Sequence, residues 1–438
     1  MTLFRRSLSF SNLPFFYGWV VLGIGSLGML MSIPGQTVGV SVFTDHLIDA
    51  LGLSRNGISI AYLIGTISSA LLLSSAGRAY DRYGARVIGV AVSFLLGCVL
   101  LYLSVIDHVT DGIISLFPAP SPAVISGFSF AVICIGFFAL RFLGQGTLTM
   151  ASRNMVMKWF VRKRGIANAV LGITVSLGFS IAPRIMDSAI SYFSWRGAWR
   201  VLAVVLLFFS FVAFLFYRDN PEKLGLKPDG NGSVKRKRAQ HIEALPSRDF
   251  RLKEARRTFA FWVFNLTIAL SALIVTAFTF HVVSIFQAAG LDRAIAVNVF
   301  LPASLIAVSS QFIGSWASDY IPLKYLAFLQ LLGIVILGTG IILLDQTAGY
   351  VFAIIGMGIT QGMMGIMSNL TWPRFFGLKY LGEVSGYAMG WSVAGSAVGP
   401  YLFSLSLDLM GSYFLGAALC LGIGLLGMLG VFFVKKPA

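Results

Sequence analysis

Twelve long apolar runs dominate this sequence and decide the solvent in which the chain folds. They begin near Phe16, Gly57, Val87, Val124, Ile166, Trp199, Phe259, Ala294, Tyr325, Tyr350, Val384 and Ser412. Runs of about 20 residues cross about 30 Å of hydrocarbon as helices. Because lipid offers backbone groups no partners, only helices and closed barrels span it, and unalternating runs favour helices. The first run extends past Val40 without a cleavage site after a short apolar core, so we predict an uncleaved first helix rather than a signal peptide.

The composition excludes the soluble classes of protein. Hydrophobic residues make up 57% of the chain and charged residues only 11%, whereas soluble domains carry about a quarter charged residues. A water-soluble globule, collagen, a disordered tail, a secreted disulfide scaffold and a nucleic-acid-binding domain are therefore excluded. All three cysteines, Cys98, Cys134 and Cys420, lie within apolar runs, so we expect small core residues and neither disulfides nor a metal site.

The net charge of +16 is explained by membrane topology. If successive spans alternate in direction, 27 of the 33 basic residues fall on one side of the membrane. Four lie on the opposite side: Arg55, Arg196, Arg200 and Arg293. The remaining two, Arg141 and Arg184, lie inside predicted spans. Positive loops stay in the cytoplasm. We therefore predict cytoplasmic termini and a multi-pass protein of the cytoplasmic (inner) membrane, with the lipid bilayer and not nucleic acid as its partner.

One long polar stretch divides the chain into two halves. We predict a cytoplasmic N-terminus (1–14), an N-terminal six-helix bundle (15–218), a cytoplasmic linker (219–257) and a C-terminal six-helix bundle (258–438). Within the linker, SRDFRLKEARR predicts a short basic helix capped by Ser247 that lies on the cytoplasmic membrane face. The alternative is a disordered tether without a docked helix.

Polar loops repeat between the halves. After the second run the pattern is Gly77-x3-Asp81-Arg82-x-Gly84-x-Arg86, and after the eighth an aspartate again precedes a basic residue by five positions, at Asp319 and Lys324. The second copy has Ser315 where the first has glycine, and it lacks an arginine after the aspartate. Matching loops in two six-helix halves are typical of transporters built from repeats, with a central site near the midplane.

The first loop, placed between spans 2 and 3, resembles the signature loop of the major facilitator superfamily, and this likeness covers essentially the whole chain. FYGWVVLGIG, RDNPEKLGLKPDG and GYAMGWSVAGSAVGPYLF also resemble its bacterial monocarboxylate-porter and oxalate/formate-antiporter branch. The resemblance implies an all-α integral membrane fold of twelve transmembrane helices in two pseudo-symmetric six-helix bundles. It also implies that Asp81 braces the start of helix 11 in the outward-open state, while Arg82 and Arg86 pair with neighbouring acids. The departures in the second copy put a symmetric latch in doubt.

Ionisable residues inside the spans are functional candidates because they are costly in lipid. Arg141 lies one helical turn before Gln145, and its planar fork suits a carboxylate. The alternative is a structural pair or a clamp on a backbone carbonyl. Arg184 lies three residues before Asp187, a spacing that allows an ion pair within the helix. We predict a substrate-attracting arginine with Asp187 as its switchable, proton-coupling partner, and the alternative is a self-neutralising pair near the outer mouth.

His281 is the only histidine in a predicted span, and histidine titrates near physiological pH, which makes it a proton-coupling candidate. The alternative is an interfacial hydrogen-bonding residue. Further polar and aromatic walls of a substrate site are predicted at Gln36, Asn265, Gln361 and Trp391. Each has the alternative of a helix-packing residue.

No acidic residue lies deep in a span, which favours an anionic substrate over a cation. Helices 8 and 11 contain no basic residue, whereas those of oxalate/formate antiporters do, so oxalate itself is disfavoured. We therefore predict a secondary transporter that moves a small, monocarboxylate-like organic anion by alternating access, with a proton or a counter-anion. The alternatives are efflux of amphipathic compounds and a transporter-like solute sensor. No catalytic or metal-ligand constellation converges, so we expect no enzyme, cofactor or metal, and we expect a monomer.

Overall fold

Every regular element is a helix in the computed structural model of the protein, which describes residues 15–118, 120–229, 246 and 248–437. The predicted N-terminal segment 1–14 and the predicted cap Ser247 lie outside the described residues. Ten helices are long and apolar enough to cross a membrane in this part of the chain. The prediction of a multi-pass helical membrane protein is therefore confirmed.

The first ten helical segments run from Gly18 to Phe216. They are α1 (Gly18–Met31), a 3-10 turn (Ile33–Gly35), α2 (Thr37–Ser41), α3 (Thr44–Leu51), α4 (Arg55–Leu103), α5 (Ile106–Ile114), α6 (Pro122–Leu140), a π-helix (Arg141–Leu148), α7 (Thr149–Trp159) and α8 (Arg164–Phe216). A second 3-10 turn (Glu222–Leu224) follows.

The remaining helices begin at the end of the linker. They are α9 (Leu252–Ala255), α10 (Phe259–Ala288), α11 (Arg293–Asn298), α12 (Phe300–Ala317), α13 (Leu323–Ile342), α14 (Thr347–Phe375), α15 (Leu381–Met410) and α16 (Phe414–Phe432). Side chains cap several helices by accepting a backbone N–H in the first turn; Ser54, Ser121 and Thr258 do so for α4, α6 and α10. Such caps satisfy donors that the helix itself leaves unpaired.

Two helices are each long enough for two crossings. α4 has 49 residues and α8 has 53, whereas one crossing needs about 20. Each contains one residue with non-helical backbone angles, Gly84 in α4 and Ser194 in α8. These breaks separate the second predicted span from the third and the fifth from the sixth.

Two other apolar runs are interrupted where the sequence predicts continuous helices. The first run breaks between α1 and α2, at Pro34 and Gly35, because proline lacks an amide donor and clashes with the preceding turn. The eighth run breaks between α11 and α12, at Val299, three residues before Pro302. Both breaks follow from the steric demands of a proline ring, a local signal that hydropathy alone does not contain.

The described residues form two compact units. The first unit comprises the described residues of Met1–Val161 and Thr174–Gly232. The second unit comprises the described residues of Arg162–Ile173 and Ser233–Ala438. The first ten residues of α8 (164–173) thus belong with the C-terminal unit, although the sequence places them within the N-terminal half.

The linker helix is shorter than its sequence suggests and is differently capped. α9 contains four residues, Leu252–Ala255, and begins after Arg251. The carboxylate of Glu254 accepts the Arg251 backbone N–H at 2.8 Å, which closes the first turn. The helix therefore starts five residues after the predicted cap.

Candidate functional site

A broken helix and a π-helix meet in the first unit. A Cβ atom added to Gly35 would lie 2.8 Å from the Gly144 Cα atom, so the break between α1 and α2 packs backbone against backbone on the π-helix. Within the π-helix, the Thr147 hydroxyl donates to the Phe142 carbonyl, five residues earlier, at 2.8 Å. π-Helical turns and broken membrane helices both occur often at functional sites.

Arg141 is the first residue of the π-helix, and only 2% of its surface is exposed. Its Nη1 donates to the Gly35 carbonyl at 3.2 Å and to the Thr37 hydroxyl at 3.3 Å. The guanidinium also lies over the Tyr62 ring, 5.0 Å from the ring centroid, and the Tyr62 hydroxyl donates to Thr37 at 2.9 Å. The alternative role of Arg141, a clamp on a backbone carbonyl, is thus present, but the clamp uses only one guanidinium nitrogen, Nη1.

Arg141 keeps unused donor capacity. Its Nε is buried and has no hydrogen-bond partner among the described residues, and the same holds for Gln145 Oε1. None of the described carboxylates forms an ion pair with Arg141. A buried guanidinium without a counter-charge is costly, so a bound anion would stabilise this arrangement.

Gln36 extends the same polar cluster. Its Nε2 donates to the Ser32 hydroxyl at 3.1 Å and to the Thr149 hydroxyl at 3.3 Å, and Thr149 donates to Ser32 at 2.9 Å. Gln36 directly follows Gly35, whose carbonyl accepts from Arg141. The structure therefore places three of the predicted binding residues, Arg141, Gln145 and Gln36, on the two elements that meet at the broken helix.

Arg184 and Asp187 do not join this cluster. Both side chains are exposed on α8, and the described residues show no ion pair between them. The intrahelical pair that the spacing allows is therefore absent from this conformation, and the roles of Arg184 in substrate binding and of Asp187 in proton coupling stay predictions.

Among the described residues, no hydrogen bond or ring contact joins the three binding residues predicted in the second unit to one another. Asn265 is fully buried in α10, and neither atom of its amide has a partner among the described residues. Gln361 is half-buried in α14. Trp391 packs edge-on against Trp262, with ring centroids 5.6 Å apart. Asn265 is the candidate whose hydrogen-bonding needs are least satisfied.

His281 has one defined hydrogen bond. Its Nε2 lies 2.9 Å from the Pro400 carbonyl of α15. Since a carbonyl only accepts, Nε2 carries the proton and donates. The ring also lies against Tyr413, with centroids 5.5 Å apart, and the Tyr413 hydroxyl donates to Ser284 at 2.8 Å. His281 therefore links α10 to α15, as its interfacial alternative requires.

The first signature loop contains a helix cap. Gly84 has φ +86°, and a Cβ atom there would lie 2.5 Å from the Asp219 Cγ atom. Asp219 accepts the Arg86 backbone N–H at 3.1 Å, so its carboxylate lies at the start of the helical stretch that follows the break. Negative charge is stabilised there by the helix dipole and the free amides. Glycine at position 84 thus allows both the break and the close approach of Asp219.

Arg82 and Arg86 of this loop contact aromatic rings and a backbone carbonyl rather than acidic side chains. The Arg86 side chain donates to the Phe214 carbonyl at 2.7 Å and stacks on the Phe214 ring. Arg82 is exposed and stacks on Tyr83. The acid pairing implied for both is absent from the described residues, because the nearby Asp219 is occupied by Lys223, at 2.8 Å, and by the helix amide.

The other residues of the loop lie in α4 before the break. Gly77 is buried and Asp81 is half-buried. Lys158 of α7 lies within electrostatic reach of both Asp81 and Asp219, and its ammonium lies 4.6 Å from the centroid of the Tyr80 ring. The first loop, the end of α7 and the start of the linker thus form one charged cluster in the first unit.

The second signature loop caps a helix in the same manner. Asp319 accepts the Gly165 backbone N–H, at the start of α8, at 2.9 Å. It also pairs with Arg374 of α14 at 3.0 Å. Burial raises the pKa of Asp319 above its ordinary value, and the bonds from Gly165 and Arg374 offset only part of this rise. Lys324 instead stacks on Tyr325.

Buried amides extend this second cap. Asn168 donates to the Ser315 hydroxyl at 2.9 Å, and Asn369 donates to the Asn168 side-chain oxygen. A Cβ atom on Gly165 would overlap the Ser315 carbonyl. Ser315, which stands where the first loop has glycine, therefore supplies a polar partner for α8. From the sequence alone it was only a departure from the loop pattern.

Comparison with known proteins identifies the family. A sequence profile of the Major Facilitator Superfamily matches residues 24–400. The chain belongs to this superfamily. The fold of this major facilitator is similar to that of the human organic anion transporter MFSD10 (TETRAN), with a TM-score of 0.61, 13% identity, and coverage of 96% of this chain and 100% of that one.

A second solved structure agrees. The proton:xylose symporter XylE, bound to 6-bromo-6-deoxy-D-glucose, has a TM-score of 0.67 and 15% identity, and the match covers 96% of each chain. No curated protein matches this major facilitator in sequence. Its family and fold are those of membrane transporters and not of enzymes.

Several residues of this major facilitator were missed by sequence reasoning. Asp219 directly follows the sixth run, and its motif was interpreted as the start of the linker and as part of the family resemblance, without a role for the aspartate. Asn168 and Asn369 are amides within apolar runs, the same signal that singled out Asn265. Thr37 and Tyr62 carry no sequence signal, because hydroxyl side chains are common in membrane helices.

Proposed function

We propose that this protein is a twelve-span secondary transporter that moves a small, monocarboxylate-like organic anion by alternating access. Its termini lie in the cytoplasm and it works in the cytoplasmic membrane as a monomer. The single observation that supports the substrate class is Arg141, a buried guanidinium with a free Nε and no carboxylate partner among the described residues.

A carboxylate fits the donors that Arg141 leaves unused. Arginine presents a planar fork to carboxylates, and such charge-assisted bonds are roughly twice as strong as neutral ones. The Thr37 hydroxyl beside the guanidinium adds a donor for a second oxygen, and Gln36 supplies a further polar wall. Gln145 adds the amide oxygen that suits a hydroxyl group on the substrate.

The charge of the substrate is limited by what the second unit lacks. α12 and α15 contain no basic residue, so a dianion such as oxalate would meet only one guanidinium. This favours one carboxylate, and it agrees with the monocarboxylate-porter branch that the sequence motifs resemble. The names of the two structural neighbours concern an organic anion and a sugar, and at 13% and 15% identity they support the fold alone.

The transport cycle is coupled to a proton or to exchange of a second anion. His281 supplies the proton site: uptake of a proton at Nδ1 would add a charge beside the Pro400 carbonyl and so bias the packing of α10 on α15. A ligand shifts such an equilibrium only through different affinities for its states.

The test is a ligand screen on the purified full-length protein. Thermal stability would be measured with monocarboxylates, dicarboxylates, sugars, amino acids and cationic drugs, because a ligand stabilises according to its concentration relative to Kd. We expect stabilisation by a monocarboxylate that disappears in Arg141→Gln and remains in Arg184→Gln, the matched arginine variant. Counterflow of the same acid in proteoliposomes would then separate transport from sensing.

Two results would contradict the proposal. Stabilisation by bulky amphipathic compounds alone would favour efflux of such compounds. A monocarboxylate response that survives in Arg141→Gln but is lost in Arg184→Gln would move the anion site to α8.

A further inference from the structure

The end of the linker is fixed to the loop between α14 and α15. The Phe250 N–H donates to the Phe376 carbonyl at 2.9 Å, and the Asp249 carboxylate accepts the backbone amides of Leu378 at 2.8 Å and Lys379 at 3.1 Å. Phe250 is buried and packs edge-on against Phe376. Residues 248–257 are therefore a docked segment with a fixed geometry, not a tether.

A cavity of about 440 Å³ lies between this docked segment and the helices beside it. It is lined by Leu252, Lys253, Arg256, Arg257, Trp262 and Glu383. Glu383, its one acid, accepts the Leu252 backbone N–H at 3.4 Å. The cavity lining thus has three basic side chains and one carboxylate, an excess of positive charge.

None of the three basic side chains is paired with a carboxylate of the described residues. Lys253, Arg256 and Arg257 are exposed, and none forms an ion pair with a carboxylate in the described part of the chain. Arg256 stacks on Tyr387, 4.9 Å from its ring centroid, which fixes its guanidinium at the cavity. The positive end of the 30-residue helix α10 lies at the same place and adds to the positive potential.

The position of the cavity favours a lipid over a soluble ion. Arg256 and Arg257 come directly before the first apolar residues of α10, where a membrane-spanning helix enters the headgroup layer. Trp262 stands in the first turn of that helix and donates from Nε1 to the Arg256 carbonyl at 2.8 Å. Tryptophan and basic residues are the residue types enriched at membrane interfaces, and basic pockets beside membrane helices bind anionic headgroups.

We propose that the cavity lined by Lys253, Arg256, Arg257 and Trp262 binds the phosphate of an anionic phospholipid headgroup. The guanidinium and ammonium groups hold the phosphate oxygens, while Trp262 and Leu252 contact the glycerol and the upper acyl chain. This site ties the linker to the membrane surface, and it is separate from the anion site at Arg141.

The experiment compares the full-length protein with Lys253→Gln/Arg257→Gln. The melting temperature in detergent is measured with added phosphatidylglycerol, with phosphatidylcholine and with millimolar inorganic phosphate, and native mass spectrometry counts the retained lipids. We expect phosphatidylglycerol to raise Tm more than phosphatidylcholine does, and we expect the double variant to lose this difference and the retained lipid. Inorganic phosphate should have no such effect.

The matched control is Lys227→Gln/Lys435→Gln, which removes two exposed basic side chains elsewhere in the chain. This control and the charge-conserving Lys253→Arg should keep the phosphatidylglycerol response, as should Arg141→Gln. An equal response in both double variants would overturn the proposal by showing general attraction to anionic lipid. A response to inorganic phosphate that the cavity variant alone loses would replace the lipid with a soluble phosphate.

Discussion

At the scale of single residues, the candidate sites are defined by hydrogen-bonding capacity that the fold leaves unused. Arg141 Nε, Gln145 Oε1 and both atoms of the Asn265 amide are buried without partners among the described residues. An unsatisfied buried polar group costs about 1–3 kcal/mol. Such a cost is retained in a fold when a ligand or a second conformation recovers it.

The fork geometry of Arg141 can be tested without removing its charge. We expect Arg141→Lys to lose most uptake of the anion, by tenfold or more, because an ammonium cannot reach the Gly35 carbonyl and offer two parallel bonds to a carboxylate at once. Uptake would be measured in proteoliposomes at equal protein content. Wild-type uptake in Arg141→Lys would show that only the charge matters.

His281 is testable by its pH profile. His281→Gln keeps a side-chain donor for the Pro400 carbonyl but cannot take up a proton. We therefore expect a flatter pH dependence of uptake between about pH 5 and 8, with anion exchange retained. A profile identical to that of the wild type would remove His281 from the coupling mechanism.

An ion pair between Asp107 and Arg196 predicts part of the acid sensitivity. Burial raises the pKa of Asp107, but the hydrogen bond and charge of Arg196 outweigh it and hold the pKa below its ordinary value. The carboxylate therefore stabilises the fold above about pH 4, and this contribution is lost as the pH falls through the lowered pKa.

Asp107→Asn tests this contribution. The variant should unfold at a slightly lower temperature at pH 7. Its free energy of unfolding should fall by less than about 1 kcal/mol, because the pair is partly exposed. Its Tm should also change less than that of the wild type below pH 4. Parallel Tm curves for the two proteins would contradict the assignment.

At the scale of elements, a carboxylate caps a helix start at each signature loop. Asp219 caps the stretch after Gly84, and Asp319 caps α8. The capping residue differs between the copies: in the second it is the aspartate of the repeated pattern, and in the first it is a residue of the linker. The two copies thus share a type of contact, a carboxylate that accepts a backbone N–H at a helix start, but different residues supply the carboxylate.

Gly84→Ala should destabilise the protein by about 1–3 kcal/mol, because a Cβ atom would be strained at φ +86° and would overlap the Asp219 carboxylate. The matched control is Gly23→Ala in α1, where an added Cβ atom meets nothing within 4 Å and helix propensity favours alanine. Thermal unfolding of both variants would be compared. Equal Tm values would show that the loop relaxes without cost.

At the scale of the whole molecule, the twelve crossings and their direction stay predictions, and cysteine labelling tests them. In a background with Cys98, Cys134 and Cys420 replaced by serine, single cysteines at Lys227 and Asp292 should react with a membrane-impermeant reagent from opposite sides. We expect Lys227 to react only from the cytoplasmic side. Labelling of both positions from one side would contradict alternating spans and the assignment of the linker to the cytoplasm.

The sequence by itself determined the solvent, the helical class and the positions of most helices. Apolar length is a local property, and lipid leaves a long apolar segment no other regular structure. The predicted starts near Val124, Phe259 and Tyr325 lie within a few residues of α6, α10 and α13. The sequence also contains the residues that break the helices, Pro34 and Gly84. A hydropathy profile does not detect such breaks, because it measures only how apolar a segment is.

Only the tertiary structure decided which polar residues meet. Arg141 and the Gly35 carbonyl are 106 residues apart, Arg86 and Asp219 are 133 apart, and Gly165 and Asp319 are 154 apart. No local pattern encodes such pairs, because they depend on how separately formed helices pack. For the same reason, the local spacing of Arg184 and Asp187 suggests an ion pair that the described residues do not show. Ser315 and Asn168, which no local spacing connects, form a hydrogen bond.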